Sequence, residues 1–252
     1  KARLCREGKI ELERFAEEHD IPCKRSGKLV VALDKSELGR LAQLKERGLA
    51  NGVEGLEEIG PERIREIEPH AVGLRALYSP GTGAVAFRQV SLAVAGEIGR
   101  RGGDILMQRT VTGIAARSDG MVVQTSGGDL HARWIITCAG LHSDRVAAMT
   151  GNAGDLRIVP FRGNYAAVKP AARGLIRSQI NPVPDPRFPF LGVHFTRRVD
   201  GAVWVGPNAV LAFAREGYTR TDISPRDLAE TLLFPGFLRL ITRDLRIGLG
   251  EM

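Results

Sequence analysis

One predicted strand carries the residue best suited to move a proton. In "FLGVHFTRR" (190–198), alternation points Val193 and Phe195 to one face and His194 and Thr196 to the other. Histidine titrates near neutral pH, as a general base must. The alternative is a structural histidine whose ring is satisfied by its neighbours. His194 is the first candidate for a catalytic base.

The segment "VPFRGNY" (159–165) offers groups that could hold an anionic ligand. Arg162 can bind a carboxylate through two parallel hydrogen bonds, and Tyr165 can donate its hydroxyl. Residues three apart on a regular strand face opposite ways, so both serve one site only if Gly163 marks a bulge. We rank Arg162 first, with a surface arginine as the alternative. Arg88 is a weaker candidate that would otherwise position the helix after it.

The stretch "ARWIITCAGLHSDRVAAMTG" (132–151) predicts a turn that faces a ligand. An apolar strand from Trp134 to Cys138 reaches Ala139-Gly140, and a helix opens after Ser143. Small residues at such a turn let the backbone approach a ring system or a phosphate closely, and a helix N-terminus favours an anion. Plain strand core is the alternative for Cys138.

Two motifs resemble sites without meeting their requirements. "GTGAVA" (81–86) matches G-x-G-x-x-A, but Pro80 precedes it and the residues after it are extended, so we expect a glycine turn. "HSD" (142–144) has the residue types of a catalytic triad, but adjacent residues at a helix start cannot pass a proton in series. We expect Ser143 to cap the helix there, assisted by Asp144. The histidines have no metal-ligand spacing, so a zinc site is not expected.

The hydrophobic pattern predicts a fold of class α/β (α+β) with two interleaved domains. Helices are predicted over 2–19, 36–45 (with Gly48 as its stop), 61–69, 88–103, 143–150, 224–234 and 236–249. Strands are predicted over 24–34, 104–107, 110–118, 121–126, 129–140, 156–170, 191–198 and 201–210, with a proline-rich connector at 181–190.

Composition excludes several classes of protein. The 252 residues are 43% hydrophobic and 26% charged, which is ordinary for a globular protein. The net charge is +7, but cations alternate with acids and aromatics are only 6%, so we expect an arginine-rich surface that attracts small anions rather than nucleic acid. No apolar run approaches the ~20 residues of a membrane helix. Three scattered cysteines indicate free thiols in a reducing compartment.

Four stretches carry a resemblance to a known family. They are "YSPGTGAVAFRQV" (78–90), "IITCAGLHSDRVA" (135–147), "VPFRGNY" and "PVPDPRFPFLGVHFTRRVDGAVWVGPNAVLAFAREGY" (182–218). In these the chain resembles the L-2-hydroxyglutarate oxidase/dehydrogenase family of the D-amino-acid-oxidase-like FAD enzymes. Such enzymes also contain an N-terminal G-x-G-x-x-G unit and a C-terminal flavin segment, neither of which is in this sequence. The resemblance therefore implies an internal piece of such an enzyme, one that retains FAD weakly by itself.

The resemblance implies roles for particular residues. The cofactor FAD would be contacted by Val111, Cys138, Ala139, Gly140 and Leu141. The base would be His194, and the substrate would be bound by Arg162, Tyr165, Thr196 and Arg88. Asn181 stands where an aromatic residue is expected in this family, which puts the exact substrate in doubt.

The resemblance also implies an activity and a domain organisation. A partial FAD-binding Rossmann-like domain (1–20 and 85–150) would be interleaved with a substrate domain (21–84 and 151–252) built on a mixed, mainly antiparallel sheet. The activity would be oxidation of a 2-hydroxy acid, with L-2-hydroxyglutarate to 2-oxoglutarate as the first expectation. The alternatives are an amino-acid or glycerol-3-phosphate oxidoreductase of the same superfamily and, from another class, a flavin-free basic binding module.

We expect a small dicarboxylate substrate and, as electron acceptor, oxygen or a membrane quinone. We expect neither a nucleic-acid partner nor a transmembrane segment. A cytoplasmic location is expected, with peripheral association with the inner membrane as the alternative.

Overall fold

The computed structural model describes residues 1–151, 154–186 and 192–250, with the side chains of 243–250 left out. Within these residues the helices are α1 (Ala2–Glu18), α2 (Leu38–Ala50), α3 (Pro61–Ile67), α4 (Phe87–Arg100), α5 (Ser143–Met149), α6 (Pro225–Leu232) and α7 (Pro235–Gly250). The strands are β1 (Cys23–Arg25), β2 (Lys28–Ala32), β3 (Glu57–Ile59), β4 (Arg75–Ser79), β5 (Gly83–Val85), β6 (Val111–Arg117), β7 (Gly120–Thr125), β8 (Leu130–Ala132), β9 (Phe161–Arg162), β10 (Ala166–Ala167), β11 (Gln179–Pro182), β12 (His194–Arg197), β13 (Val203–Gly206) and β14 (Val210–Leu211).

Residue contacts divide the chain into two compact units. Unit 1 is Lys1–Gly103 with Gly163–Asn208, and unit 2 is Asp104–Arg162 with Ala209–Met252. The chain therefore passes between the units more than once, as interleaving requires. The predicted domain boundaries cut the chain at other places and stay a prediction for the complete protein.

Unit 1 is built on a seven-stranded sheet in the order β10-β13-β12-β11-β2-β4-β3. Only β11 and β2 run parallel, and every other neighbouring pair is antiparallel. The predicted mixed, mainly antiparallel sheet is thus confirmed. A separate pair, β1 with β5, also belongs to this unit.

Both faces of that sheet bury aliphatic side chains at its β2–β4 end. One cluster contains Leu29, Val31 and Ala76 and packs against Ile64 of α3. The other contains Ala32, Leu77 and Val183 and packs against Leu41 of α2. Each leucine, isoleucine or valine side chain of these clusters stabilises the fold by about 1.5–3 kcal/mol when fully buried. The remaining strands, β12, β13 and β10, extend beyond this core.

Unit 2 contains two small sheets and three helices. Strands β6, β7 and β8 form a meander, and β14 pairs with β9. Helix α6 begins at Pro225 because the Ser224 side chain accepts a hydrogen bond from the Asp227 amide, as an N-cap does. Helix α5 contacts β6. No helix among the described residues is long and apolar enough to span a bilayer.

Most predicted helices are confirmed, and three differences concern helix ends and strand breaks. Helix α2 runs through Gly48 to Ala50, so the predicted stop at Gly48 is wrong. The predicted strand 24–34 is divided into β1 and β2 at Ser26-Gly27, and the predicted strand 156–170 is reduced to β9 and β10. The loss of the second strand follows from pairing, because β9 and β10 bond to strands of different sheets.

Two other strand predictions are wrong, and the strands β3, β4, β5 and β11 were not predicted. Residues 104–107 form no strand, and Ile105, Leu106 and Met107 are exposed. The strand predicted over 129–140 ends at Ala132. The last two residues of β11, Asn181 and Pro182, lie in the predicted connector. An apolar stretch becomes a strand only where another strand supplies its hydrogen bonds, which the local pattern does not reveal.

Candidate active site

Three strands of unit 1 present polar and aromatic side chains on one face of the sheet. In the antiparallel pairing of β12 and β13, Thr196 lies opposite Trp204 and His194 opposite Gly206. Strand β10 pairs with the other edge of β13, with Ala167 opposite Trp204. Because paired residues point to the same side, His194, Thr196 and Trp204 share a face. The predicted alternation of His194 with Phe195 is therefore confirmed by the register.

Tyr165 belongs to the same face. Its ring lies 5.5 Å from that of Trp204, between centroids. It also packs on Gly206, since a Cβ added there would lie 2.9 Å from the Tyr165 Cδ1 atom. Glycine at 206 thus leaves room for the tyrosine ring in the row opposite His194. Arg162 and Tyr165 do not lie on one continuous strand, because β9 ends at Arg162 and β10 begins at Ala166. The direction of the Tyr165 side chain therefore does not require a bulge at Gly163.

Asn181 completes this surface, which we call the open face: His194, Thr196, Trp204, Tyr165 and Asn181. Ile180 lies opposite Phe195, so the next antiparallel pair is Asn181 with His194. Asn181 is only 6% exposed, and its Oδ1 atom has no hydrogen-bond partner among the described residues. A buried acceptor without a donor costs about 1–3 kcal/mol of stability.

The His194 ring has a defined tautomer. Its Nδ1 atom lies 2.9 Å from the carbonyl oxygen of Gly192. A carbonyl oxygen only accepts, so Nδ1 carries the hydrogen of the neutral ring and Nε2 keeps its lone pair. This is the protonation pattern that a general base requires.

The turn at residues 138–141 belongs to unit 2. Gly140 has φ +53°, and a Cβ placed there would meet no atom within 4 Å. Cys138 and Leu141 are exposed. The backbone of the turn is therefore open to the close approach of a planar or anionic group, and these residues fit a contact with FAD. Val111, the other predicted contact, is half-buried at the start of β6 opposite Thr125.

The apolar run before this turn is not buried in the structure. Trp134 is 82% exposed and Ile136 is 90% exposed. Trp134 lines an open groove of about 380 Å³ with Ile114, Met121 and Thr150, all in unit 2. The prediction of a strand from Trp134 to Cys138 is wrong, because no described segment pairs with these residues.

An ion-pair network holds the helix that follows the turn. Arg215 donates from Nη1 to Oδ1 of Asp144 and from Nη2 to Oδ2, the latter at 2.8 Å. The two side chains are 3% and 4% exposed. Arg215 Nη1 also donates to the Leu141 carbonyl oxygen at 2.7 Å, which fixes the turn itself. Arg145 donates to Asp227 and Glu230 of α6. The side chains joined by these ion pairs are called the Asp144 network: Asp144, Arg215, Arg145, Asp227 and Glu230.

The charges of this network are set by its hydrogen bonds. The Arg215 guanidinium, together with the backbone amides of Ile158 and Arg145, holds the pKa of Asp144 well below its usual value, although burial opposes this. The same contact with Asp144 raises the pKa of Arg215. The carboxylate and the guanidinium are therefore both charged across the physiological range.

The "HSD" segment has no triad geometry, as expected. His142 bonds to Glu216, Ser143 donates to the Gly140 carbonyl oxygen at 2.8 Å, and Asp144 bonds to Arg215. The predicted N-cap at Ser143 is wrong, because Ser143 is already helical and the cap position, His142, makes no side-chain cap bond. Among the described residues no cluster of His, Cys, Asp and Glu could hold a metal ion.

Two predicted substrate residues lie outside the open face. Arg162, in unit 2, follows Phe161 in β9 and donates from Nη1 to the Thr219 carbonyl oxygen. Arg88 is exposed in the first turn of α4. The structure groups Tyr165, His194 and Thr196 in unit 1, and groups Arg162, Val111 and residues 138–141 in unit 2.

Sequence reasoning missed the Asp144–Arg215 pair and Trp204. Asp144 and Arg215 are 71 residues apart, and no local pattern joins them. Trp204 could have been found from the alternation in "AVWVG", because a strand that pairs with β12 must place one of its faces beside His194.

Comparisons with known proteins agree with this fold. The family model described as DAO, FAD dependent oxidoreductase, matches residues 1–247. The whole chain is 46% identical to mouse L-2-hydroxyglutarate dehydrogenase, mitochondrial, over 57% of that protein's length. It is 42% identical to L-2-hydroxyglutarate dehydrogenase of Indibacter alkaliphilus, over 63% of that length. The chain thus spans about three fifths of these relatives.

Solved structures give the same result. The superposition with L-proline dehydrogenase from P. horikoshii covers 90% of this chain and 60% of that protein's chain, with a TM-score of 0.67. The sequence identity is 19%, so this likeness shows the fold alone. The superposition with FAD-bound L-alpha-glycerophosphate oxidase from Mycoplasma pneumoniae covers 83% of this chain and 56% of that protein's chain. Its TM-score is 0.69, and the sequence identity is 26%. The chain belongs to the FAD dependent oxidoreductase (DAO) family.

Proposed function

We propose that the complete protein is an FAD-dependent oxidoreductase that acts on the CH–OH group of a 2-hydroxy acid, with L-2-hydroxyglutarate as substrate and 2-oxoglutarate as product. The observation that carries this proposal is the identity of 42–46% to L-2-hydroxyglutarate dehydrogenases over the whole chain. Family membership favours this enzyme over a flavin-free basic binding module.

In this proposal His194 is the catalytic base. Its Nε2 lone pair accepts the proton of the substrate hydroxyl, and a hydride leaves the carbon that carries this hydroxyl. The alcohol thereby becomes a carbonyl. FAD, when bound, supplies the acceptor for that hydride. The hydroxyls of Thr196 and Tyr165 hydrogen-bond the substrate and orient its carbon. Arg162 and Arg88 are proposed to bind a carboxylate, each with a charge-assisted bond.

The turn at Cys138, Ala139, Gly140 and Leu141 is proposed to contact FAD through its backbone, with Val111 as a further contact. The support for this role is the open space at Gly140 and the Arg215 bond that fixes Leu141.

A substrate screen tests the activity. The complete protein is mixed anaerobically with L-2-hydroxyglutarate, L-amino acids and L-glycerol-3-phosphate, and the flavin absorbance near its visible maximum is followed. We expect bleaching by L-2-hydroxyglutarate. Faster bleaching by glycerol-3-phosphate would instead favour the second candidate, which the 26% identity to L-alpha-glycerophosphate oxidase supports. No bleaching by any of these compounds contradicts both.

The proposal also includes an electron acceptor and a location in the cell. Either oxygen or a membrane quinone would reoxidise the cofactor, and parallel assays with each identify it. The mouse relative is named as mitochondrial, whereas the Indibacter relative carries no such term. For this chain we propose the cytoplasm, with peripheral association with the inner membrane as the alternative, which fractionation of cells tests.

A further inference from the structure

A cation lies on the open face that no role assigned above uses. The Arg198 guanidinium is stacked over the Trp204 ring, with its Cζ atom 4.2 Å from the ring centroid. Trp204 lies opposite Thr196, on the same side of the sheet as His194. Arg198 follows β12 by one residue, so its position continues the alternation of His194 and Thr196.

The stack fixes where the charge sits relative to the proposed base. The guanidinium leans back over Trp204 and so lies level with Thr196, two residues from His194. Two residues of a strand span about 7 Å. A base at one position of the strand and a positive charge further along the same face suit a ligand that carries a hydroxyl near one end and a carboxylate at the other.

The surroundings favour a dicarboxylate as the ligand. Trp204 and Tyr165 form a continuous aromatic surface between the guanidinium and Gly206, which suits the methylene groups of such a chain. Asn181 lies on the other side of His194, and its buried Oδ1 atom has no hydrogen-bond donor among the described residues.

The existing partner of Arg198 is a weak competitor. Its Nε atom lies 3.5 Å from Oδ2 of Asp200, and the two side chains are 40% and 57% exposed. An exposed pair at this distance contributes little to stability. The terminal nitrogens of Arg198 can therefore bind a second carboxylate while Nε keeps its contact with Asp200.

We propose that Arg198 binds the carboxylate remote from the reacting carbon and so selects a five-carbon dicarboxylate over a monocarboxylate. This proposal rests on the proposed function, in which His194 acts on the hydroxyl. Arg198 is here a specificity-determining residue, since it contacts the substrate away from the reacting atoms.

The experiment compares two substrates of equal chain length in the complete protein. The ratio of kcat/KM for L-2-hydroxyglutarate to that for L-2-hydroxyvalerate is measured for the wild type, Arg198→Met, Arg198→Lys and the control Arg177→Met. Arg177 is an exposed arginine of the same unit whose backbone alone contacts Glu68. We expect the ratio to fall about 10- to 100-fold in Arg198→Met, mainly through KM, as for the loss of a charge-assisted contact. Arg198→Lys should give an intermediate ratio, and the control should leave it unchanged.

A second measurement separates this proposal from the proposed function. Binding of glutarate and of valerate, which cannot be oxidised at a hydroxyl, is measured by calorimetry on the same variants. If the wild type oxidises neither hydroxy acid, the proposed function fails, yet weaker glutarate binding by Arg198→Met alone still supports the role of Arg198. An unchanged substrate ratio, or glutarate binding that is absent or equal in wild type and Arg198→Met, overturns the role of Arg198. Equal melting temperatures exclude a folding defect as the cause of any loss.

Discussion

Unit 1 buries aliphatic side chains on both faces of its sheet, whereas unit 2 buries a network of charges beside a smaller set of apolar side chains. Leu29, Leu41 and Ile64 of unit 1 are at most 1% exposed. In unit 2 Val122, Ala212 and Phe237 are buried, the charged side chains of Asp144 and Arg215 are only 4% and 3% exposed, and Trp134 and Ile136 are exposed.

This difference predicts how the stability of each unit responds to single substitutions. Aliphatic packing depends on volume and is spread over many contacts, so it tolerates small changes. A buried ion pair depends on both partners, because removal of one leaves the other charged in a site that water does not reach. We therefore expect single charge substitutions to affect unit 2 more than unit 1.

The largest effect is expected for Arg215→Ala. It leaves the Asp144 carboxylate buried with only backbone donors and frees the Leu141 carbonyl oxygen. We expect a loss of about 3–5 kcal/mol in the free energy of unfolding. Urea unfolding of the complete protein measures it. A loss below 1 kcal/mol would mean that the network is not what stabilises unit 2.

The second effect depends on pH. The pKa of Asp144 is lowered in the fold, so the stability that its charge contributes is fully present above the unfolded pKa of about 3.9 and is lost as pH falls below it. Between pH 6 and pH 3 we expect the wild type to lose more stability than Asp144→Asn, which has no carboxylate to protonate there. Parallel slopes of unfolding free energy against pH for the two proteins would contradict this.

A smaller effect is expected in unit 1, where a single carboxylate is buried against backbone. Glu68 is 0% exposed and accepts hydrogen bonds from the amides of Arg177 and Ser178. Glu68→Gln turns a donor toward those amides and should cost about 1–3 kcal/mol. Glu66→Gln, on the exposed side of α3, is the matched control and should cost far less. Thermal unfolding compares them, and equal losses would refute the role of Glu68.

The same contrast explains which parts of the fold could be predicted. Helices α1, α4 and α6 have local signals, such as periodic apolar residues or the Ser224-Pro225 start, and their predictions are confirmed. Strand β11 was missed because Asn181 and Pro182 resemble a connector, yet its hydrogen bonds come from β2 and β12, far away in sequence. The run from Trp134 was predicted as a strand because it is apolar, but apolarity does not supply a pairing strand.

For the candidate site, alternation was enough to place His194 and Thr196 together. Tyr165 joins them only through the register of β10 with β13, and Arg198 only through its stack on Trp204. Both depend on contacts between distant segments. The roles of His194, Arg162, Tyr165, Thr196 and Arg88, and of the proposed FAD contacts, stay predictions until the variants are assayed.

The smallest effect is expected at the exposed edge of the Asp144 network. Arg226 lies four residues before Glu230 on α6 and donates to it from Nε at 3.0 Å, but its side chain is 75% exposed. Arg226→Ala should cost only about 0.3–0.5 kcal/mol, because Glu230 keeps its bond to Arg145 and the lost pair is screened by water. The difference from wild type should vanish in 1 M salt, where the Debye length is about 3 Å. Urea unfolding at low and high salt measures both quantities. A loss as large as that of Arg215→Ala would show that the network fails as a unit, so that burial of Asp144 and Arg215 is not what separates unit 2 from unit 1.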